Sequence, residues 1–493
     1  MTTLLALLLS ISSLKDRVAS AGAQLHIRLT STVGSYASTV GSPVSAVLIA
    51  PVIVDGQTVL PAGSTLSGRV KTVTRVGLGI RHETAGLDLE FQQLAAPGGE
   101  RAPISARVTE VDNGRERVTP DGRIRGIRST GSLCYRVSGY IRTALLWDVH
   151  AEIAEWAIRS LIMQLPEPEI YYPAGSELTL TLTEPLLVIG LIQEEQTVRQ
   201  LTDAELDDLG VLTAAMPYQT HAPVSGRSSD LTNVLFLGTR DQIVTAFAAA
   251  GWTQAKPGSF RNRIGWIRAA AELRGYRAGP MSPLLLHGDA ADMSWEKGLN
   301  NVAKRHHVRL WKAGAWHEQE LWIGAATRDI DFAYLRPGQT LTHRIEENID
   351  QERDKIAYDL AFTSCANLLD WMERPEFPRA TRNATGDPIV TDTRLAVIGL
   401  RNCPLPRLST ETSDLKPIPA HGRKLQRFAR REILSARNEL LRTNRYWRAY
   451  EGSRWLVSCV RRRRREAALQ LVASRTSAAS PYQSRSHPVA RLR

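Results

Sequence analysis

The local signatures of several large enzyme classes are missing from this chain. It has no HExxH zinc motif, no Walker loop, no Gly-rich dinucleotide fingerprint and no GxSxG nucleophile elbow. Metalloprotease, nucleotide-binding and α/β-hydrolase chemistry therefore have no support from short motifs. No run of about 18 apolar residues occurs, so no spanning helix is predicted. Only four cysteines are present, Cys134, Cys365, Cys403 and Cys459, all far apart and without a CxxC pair. That spacing indicates neither a structural zinc site nor a disulfide framework. Free, mostly buried thiols are the expectation, with a Cys365–Cys403 bridge left open for an oxidising compartment.

A basic bias is also missing from most of the chain, despite a net charge of +12. Residues 401–493 hold 22 Lys/Arg against 6 Asp/Glu, which leaves 40 against 44 in the first 400 residues. The basicity belongs to the C-terminal end, so the folded body carries no nucleic-acid signature. What is present suits a folded protein of two or three domains: 493 residues, 43% hydrophobic and 23% charged.

Residues 1–23 read as a degraded signal or targeting segment. Leu4–Ile11 is a short apolar run, and Ala19-Ser20-Ala21 offers small residues for cleavage. The segment lacks a basic start, and Lys15 and Asp16 interrupt it.

Residues 24–190 read as an all-β module, a small sandwich or barrel. Val44–Ile53 is β-branched and apolar, and Asp55-Gly56 then turns the chain into Gln57–Leu60. Asp-Gly between two such runs predicts a hairpin, because its turn needs positive φ at both central positions. Pro61-Ala62-Gly63 recurs as Pro173-Ala174-Gly175, each time launching an alternating strand. The echo places both copies in one module. Between them, residues 143–164 predict an amphipathic helix with Val149, Ile153 and Trp156 on one face, expected to pack.

Residues 191–227 read as a linker, in which the acidic Leu201–Leu209 is a candidate short helix and Pro217–Ser229 is rich in turn formers. A second domain of α+β character follows at 228–405. Asn233–Leu237 is a strand and Asp241–Ala250 a helix. Leu321–Ala326 is a buried-type strand, Ile349–Leu369 looks helical, and Leu395–Leu400 is a last strand. Residues 422–470 form a basic helical region containing Arg461, Arg462, Arg463, Arg464 and Arg465, and the Ser/Arg-rich residues 474–493 read as disordered. The fold class is thus multidomain: an N-terminal all-β module, an α+β domain and a basic helical tail.

The densest polar chemistry lies between Arg305 and Leu360. His306 and His307 open one strand, His343 sits in THRI, and Asp329 follows the strand LWIGAATR. Neighbours in a strand face opposite sides, so at most one of His306 and His307 points inward. A functional reading makes His307 and His343 bases or metal ligands, Asp329 an orienting group or ligand, and Arg353 an anion clamp. The plain alternative is a hydrogen-bonded polar network of structural groups. Asp350, Glu352 and Asp354 do not all share a helix face, and helix capping with surface pairing explains them better. No cofactor is predicted, and a divalent metal stays open.

Several of these segments together resemble the LssY C-terminal domain family. They are TNVLFLG from Thr232, the MSPLLL turn, KRHH before a strand, AATRD, THRI and IDQERDK, in that order, over roughly residues 228–405. The resemblance implies a bacterial, secretion-linked component of undefined activity. In some members of that family the domain accompanies a membrane-embedded phosphatase-like domain. This chain has neither a PSGH motif nor spanning helices, so lipid phosphatase activity does not carry over. SPVSAVLIAPVIVDGQTVLPAGSTLSGRV is more loosely similar to β-modules of TrbI-type conjugation scaffolds.

Two function classes follow. One is a cell-envelope scaffold or binding protein, periplasmic or membrane-associated, with a cytoplasmic location left open. Its basic tail would touch a membrane surface or an envelope partner, with Arg461–Arg465 as the anion contacts. The other is a hydrolase of a lipid-linked or phosphorylated substrate, acting through the polar site at 305–354. Nucleic acid is disfavoured as a partner for an exported protein, and a small-molecule substrate is unknown.

Overall fold

The computed structural model describes residues 17–77, 83–98, 101–132, 135, 149–163, 165–188, 198–255, 260–276, 279, 281–333, 342–403, 424–443, 453, 456–461, 463 and 464. Most of the expected targeting segment, Cys134, Arg462, Arg465 and the expected disordered end lie outside these residues. The chain forms two compact units, residues 1–431 and 432–493.

The N-terminal module is an antiparallel sheet that curls nearly into a barrel. Its main strands are β1 (Gln24–Leu29), β2 (Pro43–Leu48), β3 (Thr65–Thr74), β4 (Gly86–Ala95), β5 (Ala106–Val111), β6 (Arg117–Val118), β7 (Ile124–Arg125) and β8 (Glu177–Leu182). They run in the order β5-β8-β1-β2-β3-β4-β7-β6. The two ends return towards each other: the Arg107 guanidinium donates to Pro120 O, and a Cβ on Gly122 would sit 3.0 Å from Arg107 Cβ. The Asp55-Gly56 turn forms as its sequence dictates, with φ of 51° and 73°. Gly63 and Gly175 both take positive φ ahead of β3 and β8, and both strands lie in this one sheet. Helix α1 (Val149–Ile162) falls within the expected helical stretch; Ile153 is exposed, and Trp156 is partly exposed with its ring against Phe428.

The second half is built on a mixed sheet. Its strands are β9 (Val234–Leu237), β10 (Thr253–Gln254), β11 (Met293–Lys297), β12 (Arg305–Trp316), β13 (Gln319–Ala333), β14 (Thr342–Ile345), β15 (Ala366–Glu373) and β16 (Arg394–Leu400). The order is β10-β11-β12-β13-β9-β16-β15, with β14 also pairing β13. β9 and β16 are parallel and the other pairs antiparallel. Both faces are covered, which is why NVLFL is apolar at every strand position. Val234 and Phe236 face a core with Phe247, Trp252, Ile356 and Leu360. Leu235 and Leu237 face another with Leu201, Leu209 and Trp311. Their helices are α2 (Asp203–Ala214), α3 (Arg240–Ala249), α4 (Phe260–Ala271) and α5 (Asp350–Phe362). Thr202 and Thr239 start α2 and α3 through reciprocal capping boxes with Glu205 and Gln242.

Several expectations need revision. Residues 198–227, within the stretch read as a linker, contain α2 and a strand, and they bury Leu201 and Leu209 against the sheet. Helix α5 stops at Phe362 instead of continuing to Leu369. Ser364 takes a left-handed φ of 61° and the chain enters β15. The free-thiol expectation fails for two cysteines, since Cys365 and Cys403 are joined in a disulfide. Strand pairing brings the starts of β15 and the end of β16 together, a proximity that a separation of 38 residues conceals. Cys459 is free and half-buried. Helix α6 (Lys424–Thr443) opens the basic region. No helix among the described residues is long and apolar enough to cross a membrane.

Candidate functional site

His307, Asp329 and His343 converge because three neighbouring strands present them on one face. On β12 and β13, His307 pairs with Thr327, so Asp329, two residues further on, shares its face. On β13 and β14, Asp329 pairs with Ile345, and His343 lies two residues back. The result is a compact cluster. His307 Nε2 lies 2.6 Å and His343 Nδ1 2.5 Å from the same oxygen, Asp329 Oδ2. All three donor atoms lie within 4.8 Å of one another, close enough for one metal ion. His307 and Asp329 are buried, while His343 is 18% exposed and stands against Phe332 and Trp266, with ring centroids 4.9 and 5.9 Å away.

The electrostatics sort the roles. Burial pushes the His307 imidazole down to about 4, against the pull of Asp329, so this ring is neutral near pH 7. Burial works the other way on Asp329, but contact with His307 and His343 holds its carboxyl well below the usual range. Arg305 adds a cation 3.9 Å from Asp329 and is itself paired with Glu296 at 2.7 Å. His307 Nδ1 is buried without a hydrogen-bond partner among the described residues. An ionised carboxylate thus orients two imidazoles, one of them neutral and capable of taking a proton or a metal.

Arg353 does not join them. Its guanidinium lies 2.6 Å from Asp392, 2.8 Å from Asp354 and 3.2 Å from Asp350, and it donates to Arg394 O. Those carboxylates occupy the fork that an anionic ligand would need. Arg353 ties the start of α5 to the chain entering β16. Asp350 likewise accepts from Thr391 Oγ1 and the Asp392 amide instead of capping its own helix. His317 stands apart, exposed at the β12–β13 turn and 3.6 Å from Asp208.

A second polar assembly lies on the opposite face of β12, at the junction with the β-module. His306 Nδ1 is 2.5 Å from Glu352 and Nε2 2.9 Å from Asp112. Arg328 bridges Asp112 and Glu110. Glu177 meets Arg28 at 2.7 Å, Lys297 at 2.7 Å and Lys355 at 2.5 Å, and Lys297 continues to Asp359 at 2.8 Å. Arg28, Glu110, Asp112 and Glu177 come from the β-module, and the rest from the second half. Beside this network is a cavity of about 590 Å³ whose wall includes His26, Asp112, His306, Arg328, Glu352 and Lys355.

Sequence reasoning missed this network. One signal was available: Glu352, Lys355 and Asp359 recur at helical spacing along one face of α5. That stripe reads as a solvated face until a partner surface of opposite charge is known. Glu352 in particular, expected to cap or pair at the surface, is buried.

Fold and cluster together define an α+β domain carrying two histidines and one carboxylate on adjacent strands. Residues 213–395 match the family model described as the LssY C-terminus, so the chain carries an LssY C-terminal domain. No curated protein matches the chain. Among solved structures, ComB10 of the Com type IV secretion system of Helicobacter pylori is similar at 10% identity. That match covers 35% of this chain and 90% of ComB10, with a TM-score of 0.20.

Proposed function

We propose that this LssY-domain protein is an extracytoplasmic scaffold or binding component of the cell envelope, its β-module and LssY domain acting as one rigid part. The observation that supports this best is the buried ion network across their junction. Separating the two halves would break every pair that crosses the junction: Glu177 with Lys297 and Lys355, Arg28 with Asp359, and Asp112 with His306. Hinge opening is not expected of such a junction. The Cys365–Cys403 disulfide favours an oxidising compartment. In the C-terminal unit, residues 456–461, 463 and 464 are helical, and Leu456, Val457 and Val460 are exposed close to Arg461, Arg463 and Arg464. That combination suits an anionic membrane surface or an envelope partner.

The test is fractionation of cells producing the full chain, followed by maleimide labelling. The expected outcome is recovery with the envelope, with Cys365 and Cys403 blocked until a reductant is added. Recovery in the cytosol with both thiols labelled would overturn the reading.

The His307–Asp329–His343 convergence favours a second reading, a hydrolase of a phosphorylated or lipid-linked substrate. In it, neutral His307 serves as base and Asp329 as orienting group. Turnover of p-nitrophenyl phosphate or its diester that His343→Ala abolishes would support it. A purified chain that turns over neither, with or without added divalent metal, would remove it for these ester classes.

A further inference from the structure

We propose that His307, Asp329 and His343 form a binding site for one divalent transition-metal ion, with zinc the ion the donors suit best. The inference uses the same cluster as the hydrolase reading but does not need catalysis, and it is independent of the scaffold reading.

Three observations support it. First, two imidazole nitrogens and a carboxylate oxygen form a mixed N/O set, which suits zinc and its neighbours rather than calcium or magnesium. Second, the donors come from three adjacent strands of one sheet and lie within 4.8 Å of one another, so backbone pairing holds them and no loop has to close. Third, the cluster is walled by Phe332 and Trp266 beside His343, the one member with appreciable exposure. Three protein ligands with an accessible side leave a position for water or a small ligand, as in catalytic rather than structural zinc sites.

The local charges permit a cation. Arg305 would repel one, but Glu296 offsets it at 2.7 Å, and the Gly279 amide also points at Glu296. Arg309 is similarly offset by Asp230 at 3.4 Å. Asp329 is then the carboxylate left to answer the metal. Without metal, Asp329 Oδ2 accepts a hydrogen bond from each imidazole. With metal, both ring nitrogens and the carboxylate turn their lone pairs to the ion. Among the described residues His307 Nδ1 has no partner to orient the ring from behind, which predicts moderate affinity.

The experiment is zinc titration of the EDTA-treated, dialysed full chain by calorimetry, beside His343→Ala and the control His317→Ala. The expected result is one zinc per chain for wild type and His317→Ala, and affinity at least about tenfold weaker for His343→Ala. No zinc binding by wild type, or equal binding by wild type and His343→Ala, would overturn the proposal and leave a hydrogen-bonded triad. Cobalt(II) loading of the wild type supplies a readout that does not depend on how the variants fold. A tetrahedral N/O spectrum without a thiolate charge-transfer band is expected. A thiolate band would move the site to a cysteine, and an aqueous-type spectrum would mean no site. A chain that binds zinc at these residues yet hydrolyses nothing keeps this inference and loses only the hydrolase reading.

Discussion

His306 and His307 are sequence neighbours that serve opposite sides of one strand. His306 reaches across the junction to Asp112 of the β-module, and His307 faces away onto Asp329. The pleat of β12 therefore separates a charge network that joins two modules from a cluster with the geometry of a metal site. Substitutions at the two positions should report on different properties. His306→Ala is expected to lower stability and leave zinc binding in place, whereas His307→Ala should do the reverse to the larger degree. Paired denaturation and zinc titrations check this, and matched losses in both assays for both variants would contradict the separation.

Glu177 is a junction carboxylate shared among Arg28, Lys297 and Lys355. Glu177→Ala leaves three buried cations competing for Asp359 and Asp112. A loss on the order of 3–5 kcal/mol is expected from urea unfolding, the range for breaking a buried ion pair from one side. The exposed pair Arg69–Glu90 is the comparison, and Arg69→Ala should cost no more than about 1 kcal/mol. Equal small losses for both would mean that water reaches the junction freely.

The same network predicts how stability depends on pH. Burial opposes ionisation of Asp112, Glu177 and Asp359, but the cations around them outweigh it and hold all three carboxyls below their ordinary values. Their contribution is present above about pH 4 and is lost as pH falls through the depressed values. His306 moves the other way: burial lowers it, but Asp112 and Glu352 together raise it further. Its contribution is complete below about pH 6.5 and is lost as pH rises through the raised value. Glu352, which burial pushes up, works against the carboxylates, its cost setting in as pH rises from about 4.3 towards its raised value. Urea midpoints should therefore be highest between about pH 4 and 6.5. His306→Gln should flatten the high-pH limb and spare the acid limb.

The disulfide closes a separation of 38 residues that includes both β15 and β16. Chain-entropy reasoning gives an upper bound of about 4 kcal/mol for such a loop. Cys365→Ser with Cys403→Ser should lower the urea midpoint without changing fold, and a reductant should move the wild type to the same midpoint. A reductant-insensitive wild type would mean the thiols are unpaired in the isolated protein.

Residue patterns made much of this legible. Asp55-Gly56 fixed a hairpin, the two Pro-Ala-Gly turns marked strands of one sheet, and the apolar run NVLFL marked a strand buried on both faces. The alternation of strand side chains put His306 and His307 on opposite faces, but both are buried where at most one was expected inward, because both faces of β12 are covered. His307, Asp329 and His343 could be named as candidates but not joined, since their convergence depends on register across β12, β13 and β14. Arg353 looked equally available because sequence does not show that Asp350, Asp354 and Asp392 already surround it. The junction was illegible for a related reason. Glu177 and Lys297 are 120 residues apart, and a charge on a strand reads as solvent-facing until the surface that covers it is known.

The basic helical segment in the C-terminal unit offers a final prediction. Leu456, Val457 and Val460 are exposed beside Arg461, Arg463 and Arg464. If this segment meets an anionic bilayer, each arginine near the surface contributes about 1 kcal/mol, and that attraction is screened by salt. Changing Arg461, Arg463 and Arg464 to Gln in the full chain should then weaken binding to phosphatidylserine-containing vesicles by roughly a hundredfold at physiological salt. Binding to neutral phosphatidylcholine vesicles should be weak for both proteins. Leu456→Ser with Val460→Ser should weaken binding at high salt as well, because burial of apolar side chains is not screened. Vesicle co-sedimentation at two salt concentrations separates these contributions. Binding of the wild type that is equal on neutral and anionic vesicles, or unchanged by the arginine substitutions, would turn the assignment from a lipid surface to a protein partner.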